Sequence, residues 1–282
     1  MAQVNGVGAV QLSPLARLLE APRFEVIPFG GVEERASQLV VGTTVTVTCS
    51  QLHGVDRTLE VSEHLARRGY RVVPHLAARM VRDREDLERI VTRLAAAGIG
   101  EAFVVGGDAS PPADGYRDAG DLLEALESLS HFARVGVAGY PEGHPFISDA
   151  RLIEALRRAQ PHADHVVTQI CFDADALVRW IRRIRQAGIT LPVIVGLPGS
   201  VERRKLAEIS LRAGVGASLR YVAKHGRQIA SLARSRRYDP TPLARAIASH
   251  LDEPELTIQG VHLFTFNQVE ATQAWLARTV TS

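Results

Sequence analysis

The chain has 282 residues, 46% of them hydrophobic, and nearly balanced charge, with 33 Lys and Arg against 31 Asp and Glu. That balance gives no reason to expect a nucleic-acid partner, and two cysteines are too few for a disulfide framework or a cysteine metal site. No apolar run reaches the roughly 18–20 residues that span a bilayer, and the start lacks a basic segment followed by an apolar core; the expectation is a soluble, cytoplasmic protein with no membrane contact.

Residues 1–21 read as a leader with a short helical patch over Leu12–Glu20. From there strand-like and helix-like segments alternate. Arg23–Phe29 reads as a strand and Val32–Leu39 as a helix. Thr43–Cys49 is β-branched and strand-like. Asp56–Arg68 carries Leu59, Val61 and Leu65 at helical spacing. Arg71–Leu76 is the third strand, and Arg84–Ala97 a helix with Leu87, Ile90, Val91 and Leu94 on one face. Glu101–Gly107 and Asp118–Leu129 form the fourth pair. Arg134–Tyr140 is a buried strand that must stop at Pro141, because proline fixes φ and removes a backbone donor. A rigid polar turn follows, holding Tyr140, Glu142 and His144. Ser148–Ala159 reads as a helix with Ser148 as its N-cap.

His165–Cys171 is the sixth strand and Asp173–Ala187 its helix, closed by Gly188. Pro192–Leu197 is followed by a helix over Ser200–Ala213. The rhythm then lengthens: Ala217–Ser235 and Pro242–Leu251 read as two helices with no strand between them. Gly260–Asn267 is the last strand and Glu270–Arg278 the last helix. Short arginine runs such as Arg179–Arg185 read as solvated helix faces.

Eight strands, each followed by helix, imply a parallel sheet, and eight such units in about 250 residues match a (β/α)8 TIM barrel. The reading is a single α/β domain over residues 1–282, with a helical insertion over residues 217–252 before the last strand. An open doubly wound sheet is the competing architecture; the absence of G-x-G-x-x-G after the first strand lowers its dinucleotide-binding variant.

Barrel enzymes place their working groups at the C-terminal strand ends. Those ends hold Glu25, Thr48, His75, Asp108, Tyr140, His144, Gln169, Asp173 and Asn267. Each has an ordinary structural explanation: an exposed alternate position for Glu25, a satisfied core histidine for His75, a helix cap for Asp108, β propensity for Thr48. Gln169 is harder to dismiss, since an amide buried in VVTQIC needs hydrogen-bond partners. The spacing shows no Ser–His–Asp set, no metal-ligand cluster and no phosphate-cradling glycine loop.

The segments RFEVIPF, VTVTCSQLHGVDRT, VVPHLAAR, VVGGD, VAGYPEGHP, ADHVVTQICFD and VHLFTFN, in this order over Arg23–Asn267, resemble the strand-end motifs of the methylenetetrahydrofolate reductase family. The resemblance implies a barrel that reduces 5,10-methylenetetrahydrofolate to 5-methyltetrahydrofolate with NADH or NADPH, most members relaying the hydride through FAD. Position by position, Glu25 matches the family's general acid and Asp108 the aspartate beside the pterin. Gln169 matches the glutamine that contacts both pterin and nicotinamide nucleotide. Thr48, His75, Tyr140 and His144 match positions lining the flavin. Asn267 and Gln268 stand where the family has an N-R folate contact. The resemblance also suggests a homo-oligomer, without placing its contacts.

Several positions depart from that pattern. The family's R-G-D after strand 4 reads Gly106-Gly107-Asp108 here, so the arginine is gone. The helix after the AGYPEGHP turn has Arg151, Glu154 and Arg157 or Arg158 where an acid, an asparagine and a lysine face the flavin's ribose and phosphates. The aromatic after strand 7 is missing from PGSVERRKL. Because these changes cluster where FAD would sit, the expectation is a reductase that takes hydride directly from NADH and binds FAD weakly or not at all. The alternatives are a conventional FAD enzyme in which Arg157 and Arg158 hold the phosphates, a non-catalytic folate-binding paralogue, and a folate-dependent methyltransferase barrel.

Overall fold

A computed structural model describes residues 12–129, 131–206 and 237–281. Its centre is a closed barrel in which β1 (Arg23–Val26), β2 (Thr44–Val47), β3 (Arg71–Ala77), β4 (Glu101–Val105), β5 (Arg134–Gly139), β6 (His165–Thr168), β7 (Val193–Pro198) and β8 (Ile258–Phe264) follow in sequence order. Every neighbouring pair is parallel, and β8 pairs back onto β1. The TIM-barrel reading is therefore met, and the open sheet is excluded by the β1–β8 ladder.

Around the barrel lie α1 (Pro14–Leu18), α2 (Val32–Ala36), α3 (Gly54–Arg67), α4 (Arg84–Ala96), α5 (Ala119–Glu127), α6 (Asp149–Ala159), α7 (Ala174–Gln186), α8 (Thr241–Ala248) and α9 (Val269–Val280). The main core fills the space between strands and helices. Strand residues Phe24, Val26, Val45, Val104, Val166 and Leu263 meet helix residues Leu59, Leu65, Ile90, Leu94, Leu122 and Ile181 there. Asp83, Asp118 and Asp173 accept the N-terminal amides of α4, α5 and α7 and set where those helices begin.

The strands stop two or three residues earlier than the sequence pattern suggests at β1, β2, β4, β6 and β8. In β1 the backbone of Ile27 is taken by the Asn267 side chain, and Pro28 has no donor to continue a ladder. The short helical patch expected over Leu12–Glu20 is α1. Ser13 caps α1, Leu18 and Leu19 are buried, and the segment packs on β8, α8 and α9, so it belongs to the barrel wall. Ser148 stands at the N-cap of α6 but its side chain makes no capping bond. The expected helix over Pro242–Leu251 is α8; that over Ala217–Ser235, and the second half of the one over Ser200–Ala213, lie outside the described residues.

Candidate active site

Alternation along the strands sends one set of side chains outward to the helices and the other into the barrel. The inward set divides into three levels. Val73, Phe103, Val167 and Ile194 form an apolar plug in the middle. Towards the N-terminal end, Arg23 donates to Glu101 at 2.6 Å in a largely buried ion pair, and fully buried His165 sits 3.5 Å from the same carboxylate. His165 has room only because β5 carries Gly136 beside it: a Cβ there would lie 2.6 Å from His165 Nε2.

Towards the C-terminal end, a cavity of about 360 Å³ opens between the strand ends. Glu25, Thr48, His75, Tyr140 and Gln169 line it, with Phe103, Phe264 and Phe266 among the apolar walls. Five of the nine expected site residues thus share one chamber. Its volume falls in the range of small-molecule sites.

Glu25 is 6% exposed, and its Oε2 lies 3.1 Å from His262 Nε2 and 4.0 Å from His75 Nε2. Burial pushes His75 well below the ordinary histidine value, and nearby His262 lowers it further, so His75 is neutral at physiological pH. The acid therefore sits against imidazoles and aromatic edges: His75 meets Phe103 edge-on at 4.7 Å, and His262 lies 4.8 Å from Phe264.

His262 lies in the segment VHLFTFN, but no role attaches to it there. It could have been noticed as a polar residue at an alternate position of an apolar strand, the position that faces inward when Val261 and Leu263 face out. The spacing also shows no metal-ligand cluster, whereas barrel closure brings Glu25, His75 and His262 from β1, β3 and β8 to within 4.8 Å of one another, ligand atom to ligand atom. No local spacing encodes that meeting.

Tyr140 and His144 stand at the rim, ring centroids 5.2 Å apart and perpendicular. Burial raises the Tyr140 phenol, and the charge of Asp108 adds to it. Burial lowers His144, while Asp108 opposes that shift. Asp108 itself is exposed, on the bend that follows Gly107, whose φ of 80° is a conformation glycine adopts freely. Glu142 ties this turn to the end of β6 by accepting from the Phe172 amide at 2.9 Å.

Gln169 is half-buried, and its Oε1 accepts from the neighbouring Ile170 amide at 2.8 Å. Asn267 and Gln268 are outside the chamber's lining. Asn267 spends its amide on the Ile27 backbone, at 2.8 and 2.9 Å. Gln268 accepts from Arg237 and from the Glu202 amide.

Arg157 and Arg158 of α6 are engaged away from the chamber. Arg158 is held by Asp118, Asp121 and Glu124 at 2.8–3.1 Å, and Arg157 by Glu154 and the Ala187 carbonyl. These bonds knit α6 to α5 and to the end of α7.

A closed parallel barrel with an acid and polar groups gathered at its C-terminal strand ends has the architecture of a (β/α)8-barrel enzyme. A family model described as methylenetetrahydrofolate reductase matches residues 33–279, and the chain belongs to that family. Methylenetetrahydrofolate reductase 2 of Saccharomyces cerevisiae is 36% identical over 94 residues, which are 31% of this chain and 16% of that protein. The 5,10-methylenetetrahydrofolate reductase of Salmonella typhimurium is 31% identical over 147 residues, 50% of this chain and 49% of that one. The match thus spans about half or less of these relatives' length. A crystal structure from Burkholderia cenocepacia J2315, named for a phosphonomutase, superposes with a TM-score of 0.51 at 14% identity, covering 95% of this chain and 96% of that one. It shares the fold alone. Among the described residues, no helix is long and apolar enough to cross a membrane.

Proposed function

We propose that the protein reduces 5,10-methylenetetrahydrofolate to 5-methyltetrahydrofolate, with NADH as hydride donor. Glu25 protonates N10 of the bound folate, the bond from the methylene carbon to N10 breaks, and the electron pair on N5 makes an iminium. Hydride from the dihydronicotinamide adds to that carbon. Folate, NADH and one proton become methylfolate and NAD+. Asp108 supplies negative charge near the cationic iminium, and Gln169 orients the pterin. Positioning donor and acceptor in line and excluding water would supply most of the remaining rate.

The observation that carries this reading is the carboxyl of Glu25, buried at the base of the chamber beside two histidines. Folate binding alone requires no such acid.

Two of the α6 positions matched to the flavin's ribose and phosphates are engaged within the protein. Arg158 is saturated by three carboxylates, and Arg157 has its own acid and carbonyl. That supports direct transfer from NADH, with Tyr140 and His144 lining the space of the nicotinamide or pterin. A conventional flavin enzyme is the second reading, favoured by the presence of Thr48, His75, Tyr140 and His144 together. Anaerobic NADH oxidation with methylenetetrahydrofolate, with and without added FAD, separates the two. Turnover without FAD and a colourless purified protein support direct transfer. Stoichiometric yellow flavin with flavin-dependent turnover overturns it, and no NADH oxidation under either condition points to a folate-binding paralogue.

A further inference from the structure

Glu25, His75 and His262 form a two-histidine, one-carboxylate set on three different strands. Their candidate ligand atoms all lie within 4.8 Å of one another. The individual separations are 3.1 Å from Glu25 Oε2 to His262 Nε2 and 4.0 Å from the same oxygen to His75 Nε2. In a tetrahedral zinc site with bonds of about 2.0–2.1 Å, neighbouring ligand atoms stand roughly 3.3 Å apart. Closing from the observed spacing to that one asks for shifts of an ångström or so, within the reach of side-chain rotation.

All three residues are at least nine-tenths buried. His75 Nε2 is aimed at the carboxylate, is itself buried, and has no hydrogen-bond partner among the described residues. A buried imidazole nitrogen without a partner is a standing cost, and a metal ion would remove it. Imidazole and carboxylate together suit zinc and its neighbours in the first transition row better than calcium or magnesium. Glu25 and His75 line the cavity, so an ion held between them is within reach of it.

We propose that a divalent transition-metal ion of the zinc class binds between Glu25, His75 and His262 and inhibits the protein by occupying the carboxylate oxygen that carries the catalytic proton. The site itself stands on geometry alone; its inhibitory consequence rests on the role of Glu25 given above. Only three protein groups bind the ion, and His262 Nδ1 has no partner among the described residues to orient the ring. Metal-ligating histidines normally have such a partner, and its loss costs about 10–100-fold in affinity. Binding is therefore expected to be micromolar and reversible by chelators, unlike a structural zinc.

The test uses the full chain and the metals themselves. Cobalt(II) added to apo-protein should give the strong visible bands of four- or five-coordinate cobalt, saturating at one equivalent and lost in the His262→Asn variant. X-ray absorption of the zinc-loaded wild type should report two imidazoles with oxygen ligands, a measurement that needs no variant to fold. Zinc should suppress NADH oxidation with the same concentration dependence as binding, and EDTA should restore it. Only the weak spectrum of free aqueous cobalt, sulfur or all-oxygen ligation, or bands unchanged in His262→Asn would overturn the site. Cobalt and X-ray signatures as expected in a protein that never oxidises NADH would leave the site standing and remove the proposed reductase activity instead.

Discussion

Inside the barrel, His262 of β8 places its Nε2 3.1 Å from the Glu25 Oε2 of β1. The parallel register sets Glu25 opposite Phe264 and Arg23 opposite His262, so the histidine approaches the acid from one inward level below. Whichever partner carries the proton, one hydrogen bond joins them and fixes the carboxyl's direction. Thr265 donates to the Glu25 carbonyl on the same seam. The first and last strands thus build the acid together, and the site exists only once the barrel has closed.

Replacing Glu25 by Gln keeps the shape and removes the proton. General acid catalysis is worth about 10²–10⁴-fold. The expected result is a kcat lower by about that factor, with 5-methyltetrahydrofolate binding by calorimetry within a few-fold of wild type. Full activity in Glu25→Gln would take the proton-donor role from this residue.

Arg158→Ala tests whether α6 serves a cofactor. Arg158 and two of its three carboxylates, Asp118 and Glu124, are exposed, so solvent screening leaves the network a small share of the stability. The variant should oxidise NADH at the wild-type rate, with a small drop in thermal midpoint. A large loss of activity that added FAD repairs would return the flavin phosphates to this helix.

Much of the molecule was readable in the sequence, and the reasons are physical. A parallel strand buried on both faces leaves an apolar run, and a helix laid over it leaves a 3.6-residue stripe; β3 with α4 shows both, and so the count of eight came through. Glu25 was found because the F-E-x-x-P segment resembles a family motif, and the structure gives it a buried place in the chamber. His262 escaped notice because its meaning depends on β8 lying against β1, some 240 residues away in the chain. Asn267 and Gln268 were matched to a folate contact, but their side chains are engaged with Ile27, Arg237 and Glu202, and the same distance in sequence hides those partners.

Asn267→Ala should therefore act through stability more than through substrate affinity. It deletes both hydrogen bonds to the Ile27 backbone and leaves that half-buried amide unpaired, at about 1–3 kcal/mol, while the carbonyl keeps the Phe29 amide at 2.8 Å. Its φ of 61° adds a cost, because the left-handed region suits asparagine better than alanine. A lower denaturation midpoint with the KM for folate within two- to three-fold of wild type is expected. A KM raised tenfold or more at unchanged stability would make Asn267 a substrate contact.

The floor of the barrel sets an acid limit to stability. Burial, with Arg23 and Arg134 contributing, lowers the pKa of His165 to about 3. In the unfolded chain the same ring titrates near its ordinary value of ~6.5. Between those values the unfolded chain binds a proton that the folded chain refuses. Its contribution to stability is therefore complete above pH ~6.5 and declines as the pH falls towards 3, by up to ~1.4 kcal/mol per pH unit. Neutral, buried His75 acts in the same direction. Denaturation midpoints measured from pH 7 to pH 4 should fall more steeply for wild type than for His165→Gln, which cannot take up that proton in either state. Parallel curves would mean that His165 is protonated in the fold, with Glu101, 3.5 Å away, as its counter-charge.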